Sequence, residues 1–332
     1  MSFRSIFAAA SLLALTSAGP LPADVAAVLK RQLALPSQFP AVPNQAGTTY
    51  PGVLPTGIIS ATTVPGATQP TGILPGSTAP AAIPTTPAGG NGSTGAVSAK
   101  GSVEGPLAVT SINGDDGTGA GEDAYNFYSG DGSTGAGWPA ADKWVSFNDM
   151  FEANKAVMKT SCSSIFQLED NTDEEIAAIQ SSIDSVAEAT KVDHRFILAV
   201  IMQESKGCVR VKTTNYGVNN PGLMQDHDGV ASCNDGTPIS PCPADTITQM
   251  ISEGTGGTAK GDGLAQLINQ SGDKEVSAYY KASRMYNSGS IDPSGHLGAG
   301  IATHCYASDV ANRLTGWVQA ETACPLETAP GK

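Results

Sequence analysis

One apolar run in the second half of the chain has no polar side. It extends from Phe196 to Met202, is too short to cross a membrane, and therefore predicts a buried helix. Asp193 is expected to cap the start of this helix, and Gly207 is expected to end it. Glu204 lies in the last turn. A carboxyl group at the end of a buried element needs an explanation, because burial makes its charge costly.

Other segments repeat their apolar residues at helical spacing between clusters of glycine and proline. Residues 172–175 match a capping box and precede apolar positions that share one helical face. Five more helices are predicted, at residues 147–158, 245–252, 263–269, 274–286 and 308–317. No alternating run is long enough for a large sheet, so the pattern predicts a mainly α domain.

The N-terminus carries one positive charge, then an apolar run at residues 6–15, then small residues. This order is typical of a secretory signal peptide, which we assign to residues 1–18, and we expect the mature protein to be secreted and extracellular. Residues 19–31 end in Lys30-Arg31, which is either the cleavage site of a propeptide or an ordinary surface dipeptide. These features are typical of a eukaryotic secreted protein, for example a fungal one.

Residues 32–121 are rich in proline, threonine and glycine and carry almost no charge. Because proline removes backbone donors and glycine raises the entropy cost of ordering, we interpret this segment as a disordered linker or an O-glycosylated stalk. The folded domain is assigned to residues 122–332. Asn91 in the stalk and Asn269 in the domain fit the pattern of N-glycosylation acceptors.

The net charge of −13 falls entirely in residues 121–332, because the charges of the first 120 residues cancel. An acidic domain is poorly suited to nucleic acid, which requires clustered lysine and arginine. The same sign argues against electrostatic docking on anionic membranes or cell walls. A wall polymer would therefore have to be held by short-range contacts in a cleft.

The cysteines are even in number and lack both the Cys-x-x-Cys spacing and the zinc-finger spacing, so we predict disulfides rather than a metal site. They are Cys162, Cys208, Cys233, Cys242, Cys305 and Cys324. Proximity favours a bond between Cys233 and Cys242, and ring closure of the domain favours one between Cys162 and Cys324. The four histidines lie in unrelated segments, so no metal and no cofactor are predicted.

Glu204 has two interpretations. A carboxylic acid that apolar surroundings keep protonated can act as a general acid for a glycosidic oxygen. Alternatively, Glu204 is a solvated residue at a helix end that pairs with Lys206 or Arg210. The spacing of charged residues alone leaves both interpretations open.

Three short motifs follow one another along the chain. Glu204-Ser205 is followed by Gly222-Leu223-Met224-Gln225 and later by Tyr286-Asn287. In this order the chain resembles soluble lytic transglycosylases and goose-type lysozymes over residues 192–290. The resemblance implies an all-α, lysozyme-like fold that cleaves the β-1,4 bond between N-acetylmuramic acid and N-acetylglucosamine in peptidoglycan.

The resemblance also implies roles for single residues. Glu204 would protonate the glycosidic oxygen and later act as a base, Ser205 would help to position it, and Tyr286 would reach it. Met224 would pack near the acid, and Gln225 would bond to sugar. The residues expected to bind substrate are Ser205, Gly222, Leu223, Met224, Gln225, Tyr286 and Asn287.

The residues around the middle motif depart from the family pattern, since Asn219-Asn220-Pro221 precedes it and Asp226-His227-Asp228-Gly229 follows it. A hydrolase needs a second carboxylate, which Asp226 or Asp228 would supply, whereas a transglycosylase works with one glutamate. The alternative is that these aspartates only form a polar turn. We expect a monomer that cleaves peptidoglycan. Chitin or chitosan is the alternative substrate, and a non-catalytic wall-binding protein is the alternative of another class.

Overall fold

The computed structural model describes residues 99–215, 217–300 and 303–325. The predicted signal peptide, the predicted propeptide, most of the predicted stalk and Asn91 lie outside these residues.

The described residues form seven α-helices, which confirms the prediction of a mainly helical chain. The helices are α1 (Phe147–Phe166), α2 (Asp173–Thr190), α3 (His194–Glu204), α4 (Ala244–Gly256), α5 (Leu264–Gln270), α6 (Ser277–Ser288) and α7 (Tyr306–Thr315). Two short strands, β1 (Thr214–Asn215) and β2 (Asn219–Asn220), form an antiparallel hairpin between α3 and α4. Within the described residues, no helix is both long and apolar enough to cross a membrane.

Helix α3 lies at the centre of the fold. Every residue from His194 to Met202 is buried, and for Phe196 to Met202 this is what the apolar pattern predicts. Asp193 caps the helix, since its Oδ1 atom accepts a hydrogen bond from the backbone nitrogen of Arg195 at 2.9 Å. Helices α1, α2 and α7 pack against α3. Burial on all sides explains why α3 needs no polar face, since each large aliphatic side chain contributes about 1.5–3 kcal/mol when fully buried.

The outer helices pack in a chain of neighbours, α2 with α4, α4 with α5, α5 with α6, and α6 with α7. The predicted capping box begins α2. Thr172 Oγ1 accepts from the backbone nitrogen of Glu175 at 3.2 Å, and Glu175 Oε2 accepts from the backbone nitrogen of Thr172 at 2.8 Å. This reciprocal pair satisfies two donors that a helix start would otherwise leave without partners.

Residues 99–121, which their composition assigns to the stalk, lie against the helices. The backbone nitrogens of Val103 and Val109 donate to the carbonyl oxygens of Thr190 and Lys191, at 2.8 and 2.9 Å, where α2 ends. These carbonyls have no partner within their own helix, so the segment completes the C-terminal cap of α2. The packed part of the chain therefore begins before residue 122. Composition does not predict this, because the segment uses the core of the helices and has none of its own.

The next residues, 122–128, are bonded along α7. Tyr125 donates to Asp309 Oδ1 at 2.7 Å, and the backbone nitrogen of Asn126 donates to Asn312 Oδ1 at 2.7 Å. The carboxylate of Asp123 accepts from three successive backbone nitrogens just after α7, at residues 318–320. This segment fixes α7 in place.

All six cysteines form disulfides, namely Cys162–Cys208, Cys233–Cys242 and Cys305–Cys324. The predicted bond between Cys233 and Cys242 is confirmed, whereas the bond predicted between Cys162 and Cys324 is wrong. The end of α1 lies against the turn after α3, which brings Cys162 to Cys208. The chain after α7 returns instead to the start of α7 at Cys305.

Asn269, a predicted glycosylation site, lies in α5 and contacts the N-terminal segment. Its Nδ2 atom donates to the carbonyl oxygen of Ser102 at 2.9 Å, and its Oδ1 atom accepts from the backbone nitrogen of Glu104 at 2.9 Å. A glycan on Nδ2 would replace one of the two hydrogens of that atom and leave the other to donate.

Candidate functional site

Glu204 is the last residue of α3 and is half-buried. The hydroxyl group of Tyr306, the first residue of α7, donates a hydrogen bond to Glu204 Oε1 at 2.6 Å. Tyr306 is itself buried. The packing of α7 against α3 thus fixes the direction in which the Glu204 carboxyl group points.

Two further side chains of α7 contact the residue before Glu204. Asp309 Oδ2 accepts from Gln203 Nε2 at 3.0 Å, and Arg313 Nε donates to Gln203 Oε1 at 2.9 Å. Tyr306, Asp309 and Arg313 are spaced by three and four residues, so they share one face of α7. This face of α7 is hydrogen-bonded to the C-terminal end of α3 through both Gln203 and Glu204.

The groups on this face have unusual electrostatics because they are buried. Burial raises the pKa of Asp309 above its usual range, although hydrogen bonds and the nearby cations oppose this. Burial also lowers the pKa of Arg313 to about 10, although Asp309 opposes that shift. The Arg313 guanidinium lies 4.4 Å from the centre of the Trp317 ring, a favourable cation–π distance.

The middle motif, residues 222–225, forms a buried turn between the hairpin and α4. Gly222 has a φ angle of 67°, and a Cβ atom there would meet Met250 Cγ at 2.6 Å, so only glycine fits. The Tyr286 hydroxyl donates to the carbonyl oxygen of Met224 at 2.9 Å. The structure therefore brings the second and third motifs together, on α6 and on the turn beside it.

Gln225 stabilises this turn through its side chain. Its Oε1 atom accepts from Thr214 Oγ1 at 3.0 Å, and its Nε2 atom donates to the carbonyl oxygen of Gly222 at 3.0 Å. The expected bond to sugar would compete with these contacts. Thr255 donates to the sulfur of Met224 at 3.6 Å, so Met224 packs against α4.

The other motif residues are buried. Ser205 Oγ donates to the carbonyl oxygen of Ile201 at 3.1 Å and accepts from the backbone nitrogen of Gly207 at 3.2 Å, which closes the end of α3. Leu223 belongs to the hydrophobic core. Asn287 is buried in α6 beside Tyr286. Ser205 therefore supports the backbone that carries Glu204.

The two candidate second carboxylates lie in the loop after the motif. A Cβ atom at Gly229 would meet Asp226 Oδ2 at 2.0 Å and Glu253 Oε2 at 2.7 Å, so these two carboxylates are close neighbours. Glu253, in α4, also accepts from the backbone nitrogens of residues 230 and 231. Asp228 Oδ2 lies 3.7 Å from Lys260 Nζ. These contacts anchor the loop to α4 and the segment after it.

A cavity of about 150 Å³ lies beside the C-terminal end of α7. The cavity is lined by residues that include Asn154, Arg313, Val318 and residues 119–121. Glu204 does not line it. Sites for small molecules usually have volumes of about 300 Å³ or more. This cavity is therefore too small to be the binding cleft for a polymer.

Among the residues that the structure describes, one cluster has side-chain atoms close enough together to hold a metal ion. It consists of Asp116, Asp193 and His194. The Arg195 guanidinium already pairs with both aspartates, at 3.4 Å from Asp116 and 2.6 Å from Asp193. Burial alone would lower the pKa of His194, but hydrogen bonds from its ring to Asp116 and Asp184 raise the pKa to about 9. The imidazolium and the guanidinium supply the positive charge that a metal would otherwise bring.

The sequence pattern does not predict the contribution of α7 to the site. The helix predicted at residues 308–317 begins after Tyr306. Tyr306 and Glu204 are 102 positions apart, and no local sequence pattern indicates that they are in contact. The usable signal was the spacing of Tyr306, Asp309 and Arg313, which places three polar side chains on one helical face.

Comparison of the chain with protein-family models, with curated proteins and with solved structures gave no match. The resemblance to lytic transglycosylases and goose-type lysozymes therefore rests on the motif residues themselves.

Proposed function

We propose that this protein is a secreted glycosidase that cleaves β-1,4 bonds in amino-sugar polymers, with Glu204 as the general acid and base. The observation that carries the proposal is the 2.6 Å hydrogen bond from Tyr306 to Glu204 Oε1 at the end of the buried helix α3. A general acid must be held within reach of the proton acceptor in one direction, and this bond restricts the carboxyl group to such a direction. Peptidoglycan is the proposed substrate.

The reaction divides into two proton transfers at Glu204. The protonated carboxyl group gives its proton to the glycosidic oxygen while the bond from that oxygen to the anomeric carbon breaks. A hydroxyl group then attacks the anomeric carbon and returns its proton to the Glu204 carboxylate. If the hydroxyl belongs to water, the product has a reducing end. If it belongs to the same sugar, the product is an anhydro sugar.

The surroundings of Asp226 and Asp228 favour a reaction that uses one catalytic carboxylate. Asp226 is buried next to the Glu253 carboxylate, and Asp228 lies beside Lys260. Both arrangements support roles in holding the loop. Glu204 alone is sufficient for the anhydro-forming reaction, because the substrate supplies the nucleophile.

Chitin and chitosan are the second candidate substrates, since an acid that protonates a β-1,4 linkage would also serve a chain of glucosamine units. A wall-binding protein without activity is the candidate of another class. The net charge of −13 weighs against electrostatic attachment to an anionic wall and favours short-range contacts in either case.

The test compares the full-length secreted protein with its Glu204→Gln variant on peptidoglycan, chitin and chitosan. We expect loss of turbidity of a Gram-positive wall suspension with the wild-type protein, and a decrease of about 100- to 10,000-fold in the variant. Glu188→Gln, an exposed position in α2, is the matched control and should keep full activity. Binding without clearing in the wild-type protein would establish the non-catalytic alternative. Mass spectrometry of the fragments then separates anhydro from reducing ends.

A further inference from the structure

The cavity beside the C-terminal end of α7 is too small for a polymer but large enough for a small molecule. Its volume is about 150 Å³, and an engineered cavity of about this volume in an unrelated protein binds benzene. The cavity lies between α1, the end of α7 and the N-terminal segment. A Cβ atom at Gly316 would meet the backbone of Gly121 at 2.5 Å, so tightly packed backbone closes one side. A ligand with about six non-hydrogen atoms would fit.

Asn154, in α1, presents a buried hydrogen-bond acceptor in the wall of this cavity. The residue is 2% exposed, and its Nδ2 atom donates to the carbonyl oxygen of Met150 at 2.8 Å. Among the residues that the structure describes, none donates a hydrogen bond to its Oδ1 atom. A buried acceptor without a donor is destabilising, so Oδ1 indicates that a ligand in the cavity supplies the donor.

Arg313, in α7, supplies a buried cation to the same cavity. It is 2% exposed. Within the described part of the chain, its side chain makes one hydrogen bond, from Nε to Gln203 Oε1 at 2.9 Å. The two Nη atoms therefore remain as donors. A planar guanidinium with two such donors suits a carboxylate, which can accept two parallel hydrogen bonds.

Asp149, in the first turn of α1, adds a carboxylate to the lining of the cavity. It is exposed, so it lies where the cavity meets solvent, and its Oδ2 atom accepts from Ser146 Oγ at 2.7 Å. Asp149 and Asn154 both belong to α1, whereas Arg313 belongs to α7. The acceptors and the cation therefore lie on different walls. A simple anion would be repelled by Asp149 and a simple cation by Arg313, so the lining favours a ligand that carries both charges.

We propose that this cavity is a binding site for a small zwitterionic α-amino acid of the size of alanine, which has six non-hydrogen atoms. Its carboxylate would accept from the Arg313 guanidinium. Its ammonium group would donate to Asn154 Oδ1 and face Asp149. The short apolar side chain would contact Val145 and Met150, which are buried and line the cavity. Binding at this site does not depend on the proposed glycosidase reaction.

The test titrates the full-length secreted protein with L-alanine by calorimetry and measures its unfolding temperature with and without this amino acid. We expect saturable binding at one site in the millimolar range, and a rise in the unfolding temperature, because the ligand binds only the folded protein. Lactate keeps the carboxylate and the size but replaces the ammonium group by a hydroxyl. It should bind at least about 10-fold more weakly, because it loses a charge-assisted hydrogen bond.

Two variants locate the site. Asn154→Leu removes the acceptor at nearly constant size, and Ala153→Trp places a large side chain at an exposed position that lines the cavity. Each should weaken alanine binding by about 10-fold or more. Ala156→Trp is the matched control, since Ala156 is exposed in the same helix and does not line the cavity, and it should bind like the wild-type protein. Ala153→Trp keeps the test decisive if Asn154→Leu fails to fold, because its site is on the surface.

Three results would overturn the proposal. If alanine gives neither saturable heat nor a shift in the unfolding temperature of the wild-type protein, the cavity holds ordered water only. If Ala153→Trp binds alanine as tightly as Ala156→Trp does, the amino acid binds elsewhere on the protein. If lactate binds as tightly as alanine, the ammonium group is not recognised and the site does not select a zwitterion.

Discussion

Tyr306 and Glu204 lie 102 positions apart in the sequence, yet the hydroxyl of the first donates to the carboxyl group of the second at 2.6 Å. The bond joins the start of α7 to the end of α3. The N-terminal segment is hydrogen-bonded to α7, and the Cys305–Cys324 disulfide begins at the residue before α7. The orientation of Glu204 therefore depends on parts of the chain that are distant from Glu204 in the sequence.

Removing this hydroxyl should reduce activity more than stability. We expect Tyr306→Phe to lower kcat about 10- to 100-fold, since a hydrogen bond to a charged group contributes about 1.5–3 kcal/mol. The measurement is the rate of wall clearing at saturating substrate. Tyr279→Phe is the control, because Tyr279 is a buried tyrosine that donates to the carbonyl oxygen of Leu107 instead. Equal losses in both variants would contradict a specific role for Tyr306.

Removing one partner of the buried ion pair between Glu175 and Arg210 should lower the free energy of unfolding strongly. Arg210 Nη2 donates to Glu175 Oε2 at 3.0 Å, and the backbone nitrogen of Cys242 donates to Glu175 Oε1 at 2.6 Å. Glu175→Ala leaves a buried guanidinium without its carboxylate, so we expect a loss of about 3–5 kcal/mol in the free energy of unfolding. Urea unfolding measures this. Adding Arg210→Met should restore part of the loss, and a further loss in the double variant would contradict the charge explanation.

His194 should make the stability of the fold depend on pH. Its pKa is raised to about 9 in the folded protein, above the value of about 6.5 expected when unfolded. The contribution of the imidazolium is therefore fully present below about pH 6.5 and is lost as the pH rises through about 9, with a total of about 3 kcal/mol.

Comparing the wild-type protein with His194→Gln by urea unfolding at several pH values tests this. We expect the difference in stability to be largest near pH 6 and to shrink towards pH 10. A difference that stays constant across this range would mean that His194 is neutral in the folded protein.

The disulfide next to Tyr306 should affect both stability and activity. Cys305 and Cys324 are 19 residues apart, and in the chain-entropy model closing a loop of this length contributes about 3 kcal/mol. Replacing both by serine should cost about this much and should also lower kcat, because Cys305 precedes Tyr306. The corresponding change at Cys233 and Cys242 is the control and should affect stability alone. Loss of activity only in the variant that lacks Cys233 and Cys242 would contradict a role of the Cys305–Cys324 disulfide in positioning α7.

Local features of the fold could be predicted from the sequence. Asp193 and the capping box at residues 172–175 act on backbone nitrogens within three residues, so their effect is visible in the sequence. The disulfide between Cys233 and Cys242 is local in the same sense. The apolar run that forms α3 predicted its burial because a helix without a polar side must be covered on all sides.

Features that depend on distant pairing could not be predicted. Cys162 meets Cys208 only because α1 ends against the turn after α3. The composition of residues 99–121 predicts a segment that does not fold. Yet Gly117 and Gly119 pass so close to the chain before α1 that a Cβ atom at either would lie 2.1 Å from its backbone. Such close approach is a property of the assembled helices and leaves no periodic pattern in the segment itself.

The release of fragments from purified peptidoglycan, followed by mass spectrometry, tests the role of Glu204 most directly. We expect the wild-type protein and Glu188→Gln to release disaccharide-containing fragments at equal rates, and Glu204→Gln to release them at least about 100-fold more slowly while remaining folded. Equal rates in Glu204→Gln and the wild-type protein would contradict the assignment of Glu204 as the catalytic acid.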